Sequence, residues 1–177
     1  MKLVDKKEID NLIGKADFWV PKQLIAVCEY VGGIPDLDGL IEEKEYFKAQ
    51  PLLNFKVHER GLEIIITLGF KQHFLAIPTD SIASIELEKG GTIDVEERSV
   101  IGRAVVGGLL LGPLGAIIGG ASGLKDKVIK DKDMLLINAT EDSQNHNILL
   151  TIRKGKSDDV RKFFLQYFKS VFTITAK

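Results

Sequence analysis

A single cysteine, Cys28, stands in this chain of 177 residues, so no disulfide can close within it. That usage fits a reducing compartment and points to the cytoplasm. Metal-binding patterns are missing too. There is no paired CxxC and no HExxH, and His58, His73 and His146 lack ligand spacing, so no metal is expected. The phosphate-loop pattern GxxxxGKS/T is absent, and Gly102, Gly107 and Gly108 do not form a GxGxxG. Neither sign of charge dominates: 24 Lys and Arg against 25 Asp and Glu leave a formal charge of −1, which supplies no basic field for nucleic acid. The acidic residues are scattered, so no carboxylate pair for acid–base work can be picked out. Cys28 sits in an apolar segment and reads as an inert core residue rather than a nucleophile. No catalytic residue, cofactor or enzymatic activity is therefore expected. The start of the chain, MKLVDKKEIDNLIGKADFW, lacks the continuous apolar core of a signal peptide, so any membrane is expected to be met from the inside.

What the chain does have is a long stretch without charge. Ile101 to Leu124 reads IGRAVVGGLLLGPLGAIIGGASGL; it carries no charged residue from Ala104 onward and holds eight of the 17 glycines. An apolar run of about 18 residues or more is a candidate transmembrane helix. Pro113 argues otherwise, because proline breaks a helix interior but suits the first turn of a new one. The spacing predicts two short arms joined at Gly112-Pro113-Leu114-Gly115. Each arm is about 15 Å long at 1.5 Å per residue, roughly half a bilayer core. Small residues recur at every fourth position: Ala104, Gly108 and Gly112 on one arm, Gly115, Gly119 and Gly123 on the other. Faces of that kind let two backbones approach closely, while Leu110 and Ile118 lie among the apolar residues opposite. Each interior glycine costs about 1 kcal/mol of helix propensity relative to alanine. Packing of the hairpin over its own domain or a second copy, or contact with lipid, has to offset that; an irregular glycine loop is the remaining reading.

Cations flank this stretch. Arg98 and Arg103 precede its charge-free part, which starts at Ala104, and Lys125, Lys127, Lys130 and Lys132 follow. Arg98, Arg103, Lys125 and Lys127 are the candidate headgroup contacts, each basic residue near an anionic surface contributing about 1 kcal/mol. Glu96, Glu97, Asp126, Asp131 and Asp133 dilute that field, and a solvated loop is the competing reading.

The rest of the chain reads mainly as β. Asp5 to Lys15 places Ile9, Leu12 and Ile13 at helical spacing. Gln23 to Val31 is a compact, β-prone apolar run that reads as a strand, with a buried helix as the alternative for so short a run, and Ile34 to Gln50 is loop-like, with Pro35, Asp36, Asp38 and Gly39 as turn formers. Leu52 to His58, Leu62 to Leu68, Lys71 to Ile77 and Ile82 to Glu88 form a meander of short strands. Its turns fall at Glu59-Arg60-Gly61, Gly69 and Pro78. After the glycine-rich stretch come Asp133 to Ala139 and Ile148 to Arg153. The period then becomes helical. Ser157 is placed as the N-cap, Asp158 and Asp159 suit the first turn, and Val160, Phe163, Phe164, Tyr167 and Phe168 share one face. The tail VFTITAK either extends that helix or adds an edge strand.

A strand meander followed by an amphipathic helix resembles a pleckstrin-homology-like (PH-like) barrel. LNFKVHERGLEI resembles the hairpin of bacterial PH-like and GRAM-like domains. FLAIPTDSIASIELE resembles their IP-x-x-x-I-x-x-I stretch, and RSVIGRAVVGGLLLGPLGAIIGGASG resembles the glycine-zipper insertion of some bacterial and phage-encoded members. The resemblance runs from about Gln23 to Phe168. It implies an α+β, mainly β fold: an antiparallel barrel or strongly bent sheet capped by the C-terminal helix. Residues 1–22 would form an N-terminal helix and connector. Residues 23–177 would form the PH-like domain, interrupted by a glycine-rich insertion over 98–132. It further implies a binding or scaffolding module, although fold alone does not assign function. Lys56, Lys71 and Arg153 would line one mouth of such a barrel. Three functions follow. One is association with the cytoplasmic membrane face and its anionic lipid through the hairpin. Another is a soluble scaffold that homo-oligomerises through the glycine zipper. The third is a small-ligand or peptide-binding domain with the hairpin as lid.

Overall fold

The structure is a computed structural model that describes residues 1–17, 22–43, 51–94, 128–141 and 144–176. In chain order the elements are α1 (Ile9–Ile13), β1 (Gln23–Gly32), α2 (Pro35–Glu43), β2 (Leu52–His58), β3 (Gly61–Leu68), β4 (Lys71–Pro78), a 3-10 turn (Thr79–Ser81), β5 (Ile82–Asp94), β6 (Val128–Glu141), β7 (Gln144–Ile152), α3 (Ser157–Tyr167) and β8 (Phe172–Ala176).

Period-2 alternation organises the meander. Leu53 and Phe55 of β2, Leu62, Ile64 and Ile66 of β3, and Leu75 and Ile77 of β4 all point into the core and are fully buried. β2 and β3 pair from Leu52↔Thr67 to His58↔Gly61, and β3 pairs with β4 from Leu68↔Lys71 to Gly61↔Pro78. The turn at Glu59-Arg60 requires glycine next to it for a steric reason. A Cβ on Gly61 would lie 2.5 Å from both the Ile13 side chain and the Ile77 carbonyl oxygen. α1 is therefore seated on a spot that only glycine leaves open.

Among the described residues, eight strands form one sheet in the order β4-β3-β2-β1-β7-β6-β5-β8, bent but not closed, with β4 and β8 at its ends. Of the two expectations, barrel or strongly bent sheet, the open form is the one observed. All pairs are antiparallel except β5 and β8, which run parallel from Ile85↔Phe172 to Lys89↔Ala176. The tail therefore adds an edge strand instead of extending the helix. α3 packs its Val160, Phe163, Phe164 and Phe168 into the core that the strands form. Phe164 is fully buried, its ring 5.4 Å from Phe55, 5.2 Å from Phe163 and 5.9 Å from Phe172. These edge-on and stacked contacts join the helix to β2 and β8 in a single cluster.

Four local expectations are corrected. The stretch from Ile34 is not a loop throughout, because Pro35–Glu43 is helical. Proline and aspartate signal turns, but they also suit the first turn of a helix. Here Leu37 is fully buried, and the Tyr30 hydroxyl donates to Asp38 at 2.8 Å while accepting the Ile34 N–H at 2.6 Å. Leu12 does not join Ile9 and Ile13 in the core; it is 47% exposed. Ser157 is the first helical residue, not a capping one, and the preceding Lys156 makes no side-chain cap. Finally, β5 and β6 are longer than the alternation predicts, pairing out to Asp94↔Val128.

Candidate functional site

The sequence-predicted site residues Ala104, Gly108, Leu110, Gly112, Pro113, Gly115, Ile118, Gly119 and Gly123, and the flanking Arg98, Arg103, Lys125 and Lys127, all lie outside the described residues. What the structure provides is the place they leave from and return to. β5 and β6 form a ribbon whose last pairs are Gly91↔Lys132, Ile93↔Ile129 and Asp94↔Val128. β7 leaves β6 earlier, at Met134↔Thr151, so the ribbon continues past its neighbour on that side. Residues 95–127 thus begin and end on adjacent strands, whose facing Cα atoms are about 5 Å apart in an antiparallel pair.

Beside the root of the ribbon lies a cleft of about 820 Å³, lined by Glu29, Lys132, Asp133, Ile152 and the turn Arg153–Ser157. Its charged side chains come from three parts of the chain. β1 contributes Glu29, β6 contributes Lys132 and Asp133, and the connection from β7 to α3 contributes Arg153, Lys154 and Lys156. Backbone bonds hold the turn: the Arg153 N–H donates to the Val27 carbonyl at 2.9 Å and the Lys156 N–H to the Arg153 carbonyl at 3.0 Å. The Arg153 guanidinium also donates to the Ala26 carbonyl at 3.1 Å. Ala26 has φ +50, a left-handed conformation uncommon outside glycine, and it lies in the irregular part of β1 between Leu24 and Cys28. Asp133 ties the parts together, accepting the Gly90 N–H at 2.8 Å and the Ser157 hydroxyl.

Lys56, Lys71 and Arg153 are not gathered at one mouth. Lys56 faces Glu63 across β2 and β3 at 3.8 Å, Lys71 opens β4 at the far end of that hairpin, and Arg153 sits by β1. The basic group that does form joins Arg153 to Lys132, Lys154 and Lys156. The run Arg-Lys-Gly-Lys at 153–156 is its sequence signal; the approach of Lys132 depends on pairing between β6 and β7.

A second polar site lies under α1. The buried His58 places Nε2 2.8 Å from Glu63 Oε2 and Nδ1 2.8 Å from the Gly14 carbonyl oxygen. Burial works against the charged imidazolium, but these two acceptors outweigh it and hold the His58 pKa above its ordinary value. The pair is structural: it joins β2, β3 and the chain after α1. Cys28 is likewise a core residue. Burial pushes its thiol pKa far up, which suits an inert side chain. Among the described residues no group of histidine, cysteine and carboxylate side chains has the arrangement of a metal site. Among the described residues, too, no helix is long and apolar enough to cross a membrane.

The model of the family described as "glycine zipper containing PH domain" matches residues 44–154. That span takes in β2 to β7 and the glycine-rich stretch between β5 and β6. Among the curated proteins, none matches the sequence. The match extends over more than half of the chain and joins the strand meander to the glycine-rich stretch in one unit, so this chain belongs to the glycine zipper containing PH domain family.

Proposed function

We propose that this PH-like binding module is non-enzymatic and attaches to the cytoplasmic face of a membrane, with residues 101–124 as a shallow apolar insert. The observation that carries this reading is the pairing of β5 and β6 out to Asp94↔Val128. A segment that leaves and returns on adjacent strands makes an excursion rather than a crossing. From Ala104 to Leu124 that segment has no charge to keep it in water. Two arms of about 15 Å suit one leaflet, and the flanking Arg98, Arg103, Lys125 and Lys127 would meet anionic headgroups.

The test is co-sedimentation of the full-length chain with anionic vesicles. Binding that is lost on Gly108→Asp or Leu110→Lys is the expected result; binding unchanged by both ends the proposal. The four-residue recurrence of small residues supports a second reading, a soluble homo-oligomer assembled through the glycine faces. Light scattering in detergent-free buffer separates the two. A defined oligomer broken by Gly119→Leu, without any vesicle binding, favours assembly.

A further inference from the structure

The two ends of the sheet differ. At β4 the outer edge is partly covered: the Val4 N–H donates to the Phe74 carbonyl at 2.9 Å, and the Lys6 ammonium lies 5.7 Å from the Phe74 ring. Lys71 and Pro78 stand at the two ends of that strand, and both residue types discourage pairing with another chain. β8 has none of these devices. Its free side has no strand neighbour among the described residues, and Val171 to Ala176, VFTITA, carries no charge and no proline. Ile174 in its middle is 43% exposed. Backbone directions along β8 follow from one bond. The Ile85 N–H donates to the Val171 carbonyl at 2.8 Å, and β5 and β8 pair in parallel from Ile85↔Phe172 onward. Backbone groups alternate in direction along a strand, so Val171, Thr173 and Thr175 address β5. Phe172, Ile174 and Ala176 turn their N–H and C=O groups to the free side.

We infer that β8 is a pairing edge for a second copy of this chain, joined antiparallel about Ile174. The strand is its own complement. The outward residues Phe172, Ile174 and Ala176 lie symmetrically about Ile174, so that register sets Phe172 opposite Ala176 and Ile174 opposite its counterpart. Opposed residues of that kind exchange both of their N–H···O bonds. A shift of one residue sets outward residues opposite inward ones and forfeits the ladder. The same register sets Thr173 opposite Thr175, and such threonine pairs are favourable cross-strand neighbours. Charge does not oppose the contact, since the nearest lysines in sequence, Lys169 and Lys177, face no lysine in this register. Size sets the strength. Five residues a side bury far less than the ~1,200 Å² at the lower limit of stable interfaces, so the dimer is transient, with a Kd of about 0.1–1 mM. Such a dimer does not depend on membrane attachment, but it constrains it. An antiparallel join reverses one copy end for end. β5 and β8 run parallel, so the two β5–β6 ribbons would leave the joined sheet at opposite ends. Both copies could not place residues 101–124 in one bilayer, and a membrane surface would select the monomer.

Sedimentation velocity of the full-length chain in detergent-free buffer, up to about 1 mM, tests the pairing. A reversible monomer–dimer equilibrium is expected. Ile174→Lys sets two ammonium groups face to face, and Ile174→Pro removes an outward N–H. Each should weaken the dimer about tenfold, whereas Gly119→Leu should leave it unchanged. Cross-linking reads the register on the otherwise intact chain. Facing Cα atoms of such a pair lie about 5.5 Å apart, so Ile174→Cys should give a disulfide-linked dimer on mild oxidation. Leu165→Cys, exposed on α3, should not, and the buried Cys28 does not compete. A chain that stays monomeric up to that concentration, with no Ile174→Cys cross-link, overturns the inference. So does a dimer that survives both Ile174 substitutions and is broken by Gly119→Leu, which assigns assembly to the glycine faces. Anionic vesicles separate this edge from the membrane proposal. Dimerisation that Ile174→Lys removes, in a chain that binds no vesicle, supports the β8 edge and ends the membrane proposal. Vesicle binding that Leu110→Lys removes, in a chain with neither dimer nor cross-link, does the reverse.

Discussion

His58 Nε2 lies 2.8 Å from Glu63 Oε2, with both side chains buried between α1 and the first hairpin. The other ring nitrogen faces the Gly14 carbonyl oxygen, also at 2.8 Å. Two acceptors on the two ring nitrogens are satisfied together only by the doubly protonated ring. The surrounding charges are Glu63 on β3, Lys56 on β2, 3.8 Å from Glu63, and the exposed Asp10 on α1, 3.8 Å from Nδ1. This site fastens the N-terminal segment to the sheet, and Ala16 bridges to His58 in the same place.

A pH dependence follows from that geometry. The folded-state pKa of His58 is raised above its unfolded value of about 6.5. The stabilisation is fully present below the unfolded value and is lost as pH rises through the folded one. Thermal melts from pH 6 to pH 9 should show the wild type losing stability toward alkaline pH more than His58→Gln does. Parallel curves for the two proteins would rule the linkage out. His58→Ala should cost about 3–5 kcal/mol at pH 6, because it leaves the Glu63 charge buried without its closest partner.

The aromatic cluster gives a sharper contrast along one helix. Phe164 is fully buried against Phe55, whereas its neighbour Leu165 is 36% exposed. Phe164→Ala should destabilise by about 3–5 kcal/mol, and Leu165→Ala by about 0.5 kcal/mol or less. Urea unfolding of the two variants checks this, and similar midpoints for both would show that α3 does not seal the core as described.

Two glycines with left-handed backbones separate sterics from conformation. Gly33 has φ +106, and a Cβ there would fall 1.8 Å from the Asn147 carbonyl oxygen, where the end of β1 crosses β7. Gly155 has φ +79 and open space around it. Gly155→Ala should therefore cost only the backbone strain, about 1–2 kcal/mol. Gly33→Ala adds a clash with backbone that cannot turn aside, so its loss should be larger. Equal midpoints in denaturant would contradict the close approach of the two strands.

The elements legible in the sequence are those whose signals are local. Alternation in Leu52–His58 and the Glu59-Arg60-Gly61 turn specify the first hairpin, and the spacing from Val160 to Phe168 specifies α3. α2 escaped because Pro35, Asp36 and Asp38 carry the same signal at a turn and at a helix start; the buried Tyr30 hydroxyl that selects the helix belongs to another element. Leu12 failed for a related reason: helical spacing marks a face, but a helix as short as Ile9–Ile13 buries only the residues that reach the sheet. The His58–Glu63 pair spans the hairpin diagonally and follows only once its register is known. The basic cleft was half visible, as Arg153 to Lys156. The other half, Lys132, arrives through strand pairing that composition does not encode. The glycine-rich stretch, the most legible pattern of all, is joined to the strand meander in the family match.

Asp133 gives the last prediction. In the sequence Ser157 has the look of an N-cap, yet its hydroxyl bonds to Asp133, which also accepts the Gly90 N–H at 2.8 Å. One carboxylate therefore couples the start of α3 to the root of the β5–β6 ribbon. Loss of the hydroxyl in Ser157→Ala should cost about 1 kcal/mol, and Asp133→Ala about 2 kcal/mol, since it frees two donors at once. Because Ser157 acts through Asp133, the double variant should be no worse than Asp133→Ala alone, leaving a coupling of about 1 kcal/mol. Hydrogen exchange gives the independent readout: the Gly90 amide should exchange faster in Asp133→Ala but little faster in Ser157→Ala. Strict additivity, together with unchanged exchange at Gly90, would mean that the helix and the ribbon are held separately.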